Sequence, residues 1–510
     1  MGTQWIERLR FLVLLPAILL AACGRNGGSE GGTGAFTLKG DLRGSYLDRF
    51  GTSGSPSLDG FGTSVALSND GGTLAVGAMG DASLATGINS NQMGGLAARA
   101  GAAYIFVQNG GVWEQQAYIK ASNTDGEDLF GKVLALSGDG NTLAVGAEGE
   151  DSAATGINGN QSDNTAYQAG AVYLFTRNDD RWEQQAYIKA SNTEPDDRFG
   201  MFFSLSSDGN TLAVGTIFES SAATGINGNQ ADNAANAAGA VYLFTRSGDR
   251  WAQQAYIKAS TANSFDLFGD ALALSNEGDI LAVGAPGNDS SGAVYLFTRS
   301  GDRWEEQAYI KPSNAEPDDY FGGSLALSDD NNTLMVGALS EDGSSTGING
   351  NQDNWSTDAG AIYHFARESN GWAQKNYIKP SNVFSFDRFG NVFALSGNGH
   401  TLVARGLLNL GSTTSPSFVG VFHPFTIEGN IVVPQGYVRF STSKTMSGDI
   451  SLSLNGDGNR LVVGVSGESR NSPWMKIDGN PDNNKISGIG KALNSVFLPA
   501  AEGAVFIYER

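Results

Sequence analysis

The sequence has little of several residue types on which common protein functions depend. Its 510 residues include one cysteine, Cys23, so no intramolecular disulfide can form. The three histidines, His364, His400 and His423, lie outside any metal-ligand spacing. No Gly-x-Ser-x-Gly, phosphate-loop or His-Glu-x-x-His motif occurs. These shortages argue against an enzyme, although a paired-carboxylate site remains open because acidic residues are plentiful.

Positive charge is also scarce. Lysine and arginine number 32 against 53 aspartates and glutamates, which gives a formal net charge of −21. A chain this acidic is disfavoured as a partner of nucleic acid or of an anionic membrane surface. The composition suits cations, basic surfaces or neutral ligands such as glycans.

The N-terminal apolar run, residues 11–20, is too short to span a membrane comfortably. It follows Arg8 and Arg10, as the apolar region of a signal peptide does. It ends in Leu-Ala-Ala-Cys at Cys23, which resembles the lipobox of bacterial lipoproteins, where the cysteine is acylated and becomes the mature N-terminus. The alternative is an ordinary signal peptide with an incidental cysteine.

The resemblance implies a lipoprotein signal peptide over residues 1–22 and lipidation at Cys23. Residues 23–34 are rich in glycine and are expected to form a flexible tether. We therefore expect an exported protein in the outer membrane or at the cell surface, which meets the membrane only through its lipid anchor.

Glycine is abundant, at 70 of 510 residues, and falls mostly in turns between β-rich runs. A cassette recurs that reads Phe-Gly, an apolar run ending in Leu-Ser, a Gly/Asp turn, and a run ending in Val-Gly. The Phe stands thirteen residues before the Leu of the second run in six copies, at positions 61 and 74, 130 and 143, 199 and 212, 268 and 281, 321 and 334, and 389 and 402. A seventh copy has Gly448-Asp449 in place of Phe-Gly. Units repeated in this way stack to bury their apolar faces.

Each full repeat contains four β-like runs, here called A to D. In the second repeat they are residues 133–137, 142–146, 170–175 and 185–189. Runs A and B are almost wholly apolar, as expected of inner strands. Run D carries Gln and Lys, which we interpret as an outer edge where charge discourages further pairing. Seven four-stranded antiparallel units predict an all-β fold, a seven-bladed β-propeller, within the roughly four to eight blades usual for propellers.

The two ends of the chain predict how the ring closes. The last run, residues 503–508, is a C strand without a following D strand. Residues 35–39 match the D strand of the first repeat, so we expect the N-terminal strand to complete the last blade and close the ring. The propeller should then cover residues 35–510.

The cassette resembles the FG-GAP repeat of integrin α-chain β-propellers. Phe-Gly before strand A, Val-Gly-Ala after strand B and a later Gly-Ala-Val-Tyr carry the resemblance, and residues 284–286 reproduce Gly-Ala-Pro. It implies a propeller used for adhesion or ligand binding, usually without catalysis. Repeats of that family often hold Ca²⁺ between strands A and B, but the A–B turns here are too short and mostly carry one carboxylate, as in residues 206–210. We interpret them as hairpin turns.

The long polar loops lie between strands B and C. A Thr-Gly-Ile-Asn-Gly-Asn-Gln segment recurs there in repeats 2, 3 and 5, and repeat 1 has it with Ser90 in place of the second Gly, whereas repeat 4 has only residues 287–291. Because antiparallel strands alternate in direction, the B–C and D–A loops should share one face, which we call the loop face. Candidate Ca²⁺ ligands on it are Asp151, Asn158, Asn160, Asp163, Asn227, Asn229, Asp232, Asn349, Asn351 and Asp353.

Two interpretations of the loop face remain open. In one it supports Ca²⁺ or binds a glycan or protein, with Trp355 and Trp474 available to stack on sugars. In the other the polar residues satisfy their own loop backbones and keep the protein soluble. The sequence favours a non-catalytic adhesion or binding propeller. The alternatives are a polysaccharide lyase or hydrolase that uses loop-face carboxylates, and a structural component of the cell envelope.

Overall fold

The computed structural model describes residues 37–42, 59–90, 97–409, 418–439, 450–466 and 503–510. These residues form 29 β-strands and one 3₁₀ turn, Asn288–Ser290, arranged as seven antiparallel sheets. Among them, no helix has the length and apolar character needed to cross a membrane. The predicted signal peptide, Cys23, the predicted tether, Gly448-Asp449 and Trp474 lie outside the described residues.

The first four blades each contain four strands in the spatial order A-B-C-D. Blade 1 comprises β2 (Phe61–Leu67), β3 (Thr73–Ala78), β4 (Ala102–Asn109) and β5 (Val112–Ile119). Blade 2 comprises β6 (Leu134–Leu136), β7 (Thr142–Ala147), β8 (Ala171–Asn178) and β9 (Arg181–Ile188). Blade 3 comprises β10 (Phe202–Leu205), β11 (Thr211–Thr216), β12 (Ala240–Ser247) and β13 (Arg250–Ile257). Blade 4 comprises β14 (Leu272–Leu274), β15 (Ile280–Ala285), β16 (Ala293–Ser300) and β17 (Arg303–Ile310).

The last three blades include a five-stranded sheet, which is blade 6. Blade 5 comprises β18 (Phe321–Leu327), β19 (Thr333–Ala338), β20 (Ala361–Glu368) and β21 (Gly371–Ile378). Blade 6 comprises β22 (Phe393–Leu395), β23 (Thr401–Asn409), β24 (Phe418–Glu428), β25 (Ile431–Pro434) and a short fifth strand, β26 (Val438–Arg439), which also pairs with β24. Blade 7 comprises β27 (Ile450–Leu454), β28 (Arg460–Ser466), β29 (Gly503–Glu509) and β1 (Thr37–Leu42).

The predicted seven-bladed ring is confirmed. Blade 7 packs on blade 1, where the Ser451 hydroxyl donates to the Gly62 carbonyl at 3.0 Å and the Leu67 amide donates to Ser453 Oγ at 3.1 Å. Strand β1 pairs antiparallel with β29 at the place of a D strand. The closure of the ring by this strand stays a prediction, because the residues that join β1 to blade 1 lie outside the described ones.

The recurring Phe-Gly pair sets the contact between neighbouring blades. Phe130 packs edge-on against Tyr173 and Phe175, with ring centroids 5.3 and 6.2 Å apart. Gly131 has φ +87°, and a Cβ there would lie 2.3 Å from the Ala102 carbonyl oxygen of the preceding blade. Only glycine fits a left-handed position with the neighbouring backbone so close. The pair therefore anchors the core of its own blade and lets the previous blade approach.

The tryptophan of strand D also joins neighbouring blades. Trp182 Nε1 donates to Gln116 Oε1 of the preceding blade at 2.9 Å, and the Arg177 guanidinium lies 5.4 Å from the Trp182 ring centroid. The same bond links Trp251 to Gln185 at 2.7 Å. These tryptophans therefore pack between neighbouring blades.

The A–B turns meet around the ring axis on the face opposite the loop face. The Asn69 amide donates to the Gly138 carbonyl at 2.8 Å, and the Gly138 amide donates to the Ser207 carbonyl at the same distance. Asn69 Nδ2 also donates to Ser207 Oγ at 3.0 Å and to Asp329 Oδ2 at 3.2 Å. Turns of blades 1, 3 and 5 therefore touch across the axis.

Candidate functional site

The observed strand order brings the B–C and D–A loops together on one face. The Asp196 amide of a D–A loop donates to the Tyr167 carbonyl of a B–C loop at 2.8 Å. The neighbouring Arg198 amide donates to the Gln168 carbonyl at 3.0 Å. Each D–A loop is thus fixed to the B–C loop beside it, and the loop face is a hydrogen-bonded surface.

The Thr-Gly-Ile-Asn segments pair with the end of strand D in their own blade. Ile157 forms a β-bridge with Ile188, and the Asn158 amide donates to the Tyr187 carbonyl at 2.7 Å. The Asn158 side-chain oxygen accepts the Tyr187 amide at 2.9 Å. Asn227 and Asn349 accept the equivalent amides, those of Tyr256 and Tyr377, at 3.0 and 2.9 Å. Three of the predicted Ca²⁺ ligands therefore extend the sheet edge.

The other predicted ligands bond mainly within their own loops. Their side-chain acceptors take hydrogen bonds from residues two positions along or from the facing part of the loop: Asn160 from Ser162, Asn229 from Ala231, Asp163 from Thr165, Asp232 from Ala234, Asp151 from Gln168, and Asp353 from Ser344 and Asn351. Within the described ranges, no group of three or more Asp, Glu, His or Cys side chains is placed to hold a metal. These residues do not converge as a calcium cage requires, and calcium binding stays a prediction.

A buried ion-pair network lies beneath each long loop. In blade 2 Lys189 Nζ donates to Glu150 Oε2 at 2.8 Å, and the Tyr187 hydroxyl donates to Glu150 Oε1 at 2.8 Å. Asn123 of the preceding blade donates to Glu150 at 3.0 Å and accepts from the Tyr173 hydroxyl at 2.5 Å. Equivalent lysine–acid pairs occur in three further blades, Lys120 with Asp81, Lys258 with Glu219, and Lys379 with Glu341.

The network corrects one interpretation of the sequence. The lysine after strand D is not an exposed edge charge, because the Lys189 side chain is fully buried against Glu150. A sequence signal was present: an acid stands four residues after Val-Gly in blades 1, 2, 3 and 5, each with a lysine 38 or 39 residues later. Burial of the ions requires such pairing.

Buried D–A aspartates adjoin this network. Burial raises the pKa of Asp128 to about 8, with the negative charge of Glu150 adding to the effect. Burial likewise raises the pKa of Asp197 to about 8, beside Glu219. Asp128 Oδ2 accepts the Asp125 amide at 2.8 Å, which opposes the rise. These carboxyls are inside the protein and cannot meet a polysaccharide as paired catalytic acids.

The loops of successive blades are tied together by the glutamine of the repeated segment. Asn123 Nδ2 of blade 1 donates to the Gln161 carbonyl of blade 2 at 3.0 Å, and the Ser122 hydroxyl donates to Gln161 Oε1. Asn192 donates to the Gln230 carbonyl in the same way at 3.0 Å. Blades 1 and 2 therefore each hold the B–C loop of the next blade, which fixes this part of the rim of the loop face.

Exposed aromatic side chains gather on the loop face. All the large aromatic side chains of the described residues that are well exposed belong to its loops or to a strand end beside them: Tyr167, Phe218, Phe265, Tyr309, Tyr320, Trp355 and Phe386. The predicted ligand residue Trp355 has an exposed fraction of 82%. The well-exposed aromatic groups of the described residues are therefore concentrated on one face.

Two of the described histidines and the cavity beside strand A present few groups suited to catalysis. His364 and His423 are buried, and burial lowers the pKa of each to about 4. Strand A residues of blades 1 to 5 line a cavity of about 400 Å³ that is mainly apolar and includes Lys132 and Asp270. Lys132 pairs with Glu148 at 2.7 Å, and burial raises the pKa of Asp270 to about 6. The cavity therefore contains one carboxylate without a second carboxylate in its lining.

Comparison with known proteins supports the repeat assignment. A family model described as the FG-GAP repeat matches residues 113–175, 182–244, 251–297 and 304–365. These four segments are FG-GAP repeats, as the Phe-Gly motif predicts. No curated protein matches the chain.

Solved structures match the chain at low similarity. A chain of the mitotic checkpoint complex is 12% identical, with 90% of this chain and 99% of that chain covered and a TM-score of 0.44. The periplasmic gluconolactonase of Pseudomonas aeruginosa is 16% identical, with 74% and 88% covered and a TM-score of 0.39. A candidate 6-phosphogluconolactonase from Bacteroides uniformis is 13% identical, with 73% and 83% covered and a TM-score of 0.43.

Proposed function

We propose that this chain, a β-propeller that contains four FG-GAP repeats, is a non-catalytic binding protein that recognises a glycan or protein through its loop face. The observation that carries the proposal is the gathering of exposed aromatic side chains on that face, with Trp355 the most exposed of them. A rim tied by inter-blade hydrogen bonds supports it, because a pre-organised surface loses little conformational entropy on binding.

A panel of polysaccharides and candidate protein ligands, scored for binding and for cleavage products, tests this function. Saturable binding without cleavage is expected, and Trp355→Ala should weaken it. Trp113→Ala is an unsuitable control because Trp113 is buried, whereas Val112→Ala changes an exposed side chain on the opposite face and should leave binding unchanged. Release of shortened saccharides would favour the lyase or hydrolase alternative. A protein that binds no member of the panel would favour a structural role in the envelope.

Export and lipid anchoring are part of the proposal and rest on the lipobox-like sequence before Cys23. Cells that express the full chain should incorporate radiolabelled palmitate into it and retain it in the membrane fraction. Cys23→Ser should abolish both. Unchanged labelling of the Cys23→Ser variant would contradict lipidation at this residue.

Calcium is a further proposal for the same face. If Ca²⁺ supports the B–C loops, the thermal midpoint should rise with added CaCl₂ and fall with a chelator. Asp163→Asn and Asp232→Asn together should remove part of the rise, since each loses a carboxylate oxygen ligand. An unchanged midpoint would exclude a stabilising calcium site.

A further inference from the structure

Blade 4 interrupts the rim of the loop face. Its B–C connection is a short turn, and the Thr-Gly-Ile-Asn segment that covers the end of strand D in blades 1, 2, 3 and 5 is missing. Tyr309 has an exposed fraction of 45%, whereas its equivalents Tyr118, Tyr187, Tyr256 and Tyr377 are buried at 0–2%. The missing segment therefore opens a gap whose floor displays an aromatic ring.

The floor of the gap carries an ion pair beside that ring. The Lys311 ammonium lies 3.7 Å from Asp289 Oδ2, and the Asp289 side chain is 70% exposed. Lys311 Nζ donates to Ser291 Oγ at 2.9 Å and to the Asn288 carbonyl at 3.3 Å, and it lies 5.8 Å from the Tyr309 ring centroid. The exposed Asp289 carboxylate and the remaining N–H of Lys311 thus lie next to an aromatic surface.

Two more exposed aromatic residues flank the same turn. A Cβ on Gly287 would lie 1.9 Å from the Phe265 carbonyl oxygen, so the D–A loop before blade 4 touches the turn directly. On the other side the Asp318 amide donates to the Ser290 carbonyl at 2.7 Å, which holds the loop of Tyr320 against it. We call Phe265, Tyr309, Tyr320, Asp289 and Lys311 the blade-4 notch.

Phe265 has φ +67°, a left-handed conformation that a bulky residue rarely adopts, and its side chain is 64% exposed. The equivalent positions Glu127, Asp196, Asp318 and Phe386 have φ between +66° and +69°. The left-handed conformation therefore belongs to the D–A loops in general, and what sets Phe265 apart is an exposed ring beside the gap in blade 4.

We propose that the blade-4 notch is a carbohydrate subsite, a conclusion that rests on the proposed binding role of the loop face. A sugar ring has an apolar face that packs on aromatic rings, and its hydroxyls both donate and accept hydrogen bonds. Asp289 and Lys311 offer an acceptor and a donor to adjacent hydroxyls. A cationic ligand suits the notch less well, because it would have to displace Lys311 from Asp289.

Binding to a panel of neutral saccharides, including mannan, dextran, xylan and chitin oligosaccharides, tests the subsite by calorimetry on the full chain. Phe265→Ser and Asp289→Asn should each weaken the observed saccharide binding about tenfold, the order expected for a lost stacking partner or a charge-assisted hydrogen bond. Ile431→Ser is the control, since Ile431 is 63% exposed at the start of β25, on the face opposite the loop face. It should change the affinity less than about twofold.

A loop graft gives a second test that replaces Asp289 but leaves the notch aromatics and Lys311 in place. Residues 217–238 of blade 3 replace residues 286–291 of blade 4, so that the grafted segment covers Tyr309 as it covers Tyr256. Saccharide binding should be lost while the far-UV circular dichroism spectrum is retained.

Three results would overturn the subsite, and they can be told apart. Saccharide binding that survives Phe265→Ser, Asp289→Asn and the graft would place the glycan elsewhere on the loop face and leave the proposed function intact. If no saccharide binds but a protein ligand does, the subsite is excluded and the binding function remains. If neither class binds, both proposals fail.

Discussion

At the scale of the residue, two exposed phenylalanines hold a backbone conformation that is unfavourable for a bulky side chain. Phe265 and Phe386 hold left-handed conformations with φ near +66°, although neither is buried. A non-glycine residue in this region is less favourable than glycine by roughly 1–2 kcal/mol. The folded chain therefore retains strain that burial of the side chains does not offset.

Replacement of Phe265 by glycine should stabilise the protein. Phe265→Gly removes the steric cost of the left-handed conformation, but glycine also makes the unfolded chain more flexible, which offsets part of the gain. A net increase of about 0.5–1 kcal/mol in the free energy of unfolding is expected. Guanidinium denaturation measures it. Phe386→Gly should give a similar gain, and a loss of stability in both variants would show that the rings make stabilising contacts.

The buried lysine–glutamate pair should be far more sensitive to substitution than a surface pair. Lys189→Met leaves Glu150 charged and buried without its counter-ion, which should cost about 3–5 kcal/mol. Arg99→Met breaks the exposed pair with Glu127 and should cost less than about 1 kcal/mol. Denaturation curves of the two variants compare the costs, and equal losses would contradict the assignment of a buried network.

At the scale of the element, the A–B turns depend on small residues where they meet. A Cβ on Gly138 would lie 2.2 Å from Ser207 Oγ and 2.7 Å from Asn69 Nδ2. Gly138→Ala should therefore destabilise the protein by about 1–3 kcal/mol through overpacking. The matched control is Gly126→Ala, where the nearest atom is the Ala98 carbonyl oxygen at an ordinary 3.4 Å.

The melting temperatures of the two alanine variants measure this difference. Gly126→Ala should keep a melting temperature close to that of the parent protein. If Gly138→Ala also keeps it, the turns have room to separate and do not pack as tightly as the distances indicate.

The elements themselves were largely predictable because they depend on local pattern. The thirteen-residue spacing between Phe130 and Leu143 is the length of strand A plus its turn, so each cassette specifies its own hairpin. Contacts between blades were not predictable in the same way. The bond from Trp182 to Gln116 joins residues 66 positions apart, and spacing within one repeat gives no direct signal for it.

The candidate site was predicted as a face but not as a set of side chains. Strand alternation alone puts the B–C and D–A loops together, which is why Trp355 was placed on the right surface. The role of each polar residue depends on which backbone group its side chain meets in the folded chain, and the spacing of residues in the sequence does not give this. Asn158 was a candidate metal ligand, yet its side chain accepts the Tyr187 amide of strand D.

At the scale of the whole molecule, buried carboxyl groups should make stability depend on pH. The pKa of Asp128 and that of Asp197 are raised to about 8 in the folded protein, against about 3.9 for an unfolded aspartate. The folded state therefore binds these protons more tightly. Their stabilising contribution is complete below about pH 4 and is lost as the pH rises through about 8.

The thermal midpoint should accordingly be higher at pH 5.5 than at pH 8.5. Repulsion among the negative charges of an acidic protein also lowers the thermal midpoint as the pH rises. The comparison therefore needs a control variant that removes the same charge. Asp128→Asn should flatten the pH profile and stabilise the protein at pH 8.5, whereas Glu305→Gln removes the same charge from an exposed side chain and should leave the slope almost unchanged. Identical profiles for the two variants would contradict the buried-carboxyl explanation.

The inter-blade bonds from Asn123 to Gln161 and from Asn192 to Gln230 also bear on how such a ring can evolve. Blade 2 carries both the Asn192 amide that holds its successor and the Gln161 loop that its predecessor holds. A gene segment that encodes one blade therefore contains both halves of a joint, and its duplication yields a unit that fits its neighbours at once. Blade 4 shows the converse freedom, since a unit can lose its loop and acquire a new surface while the ring around it persists.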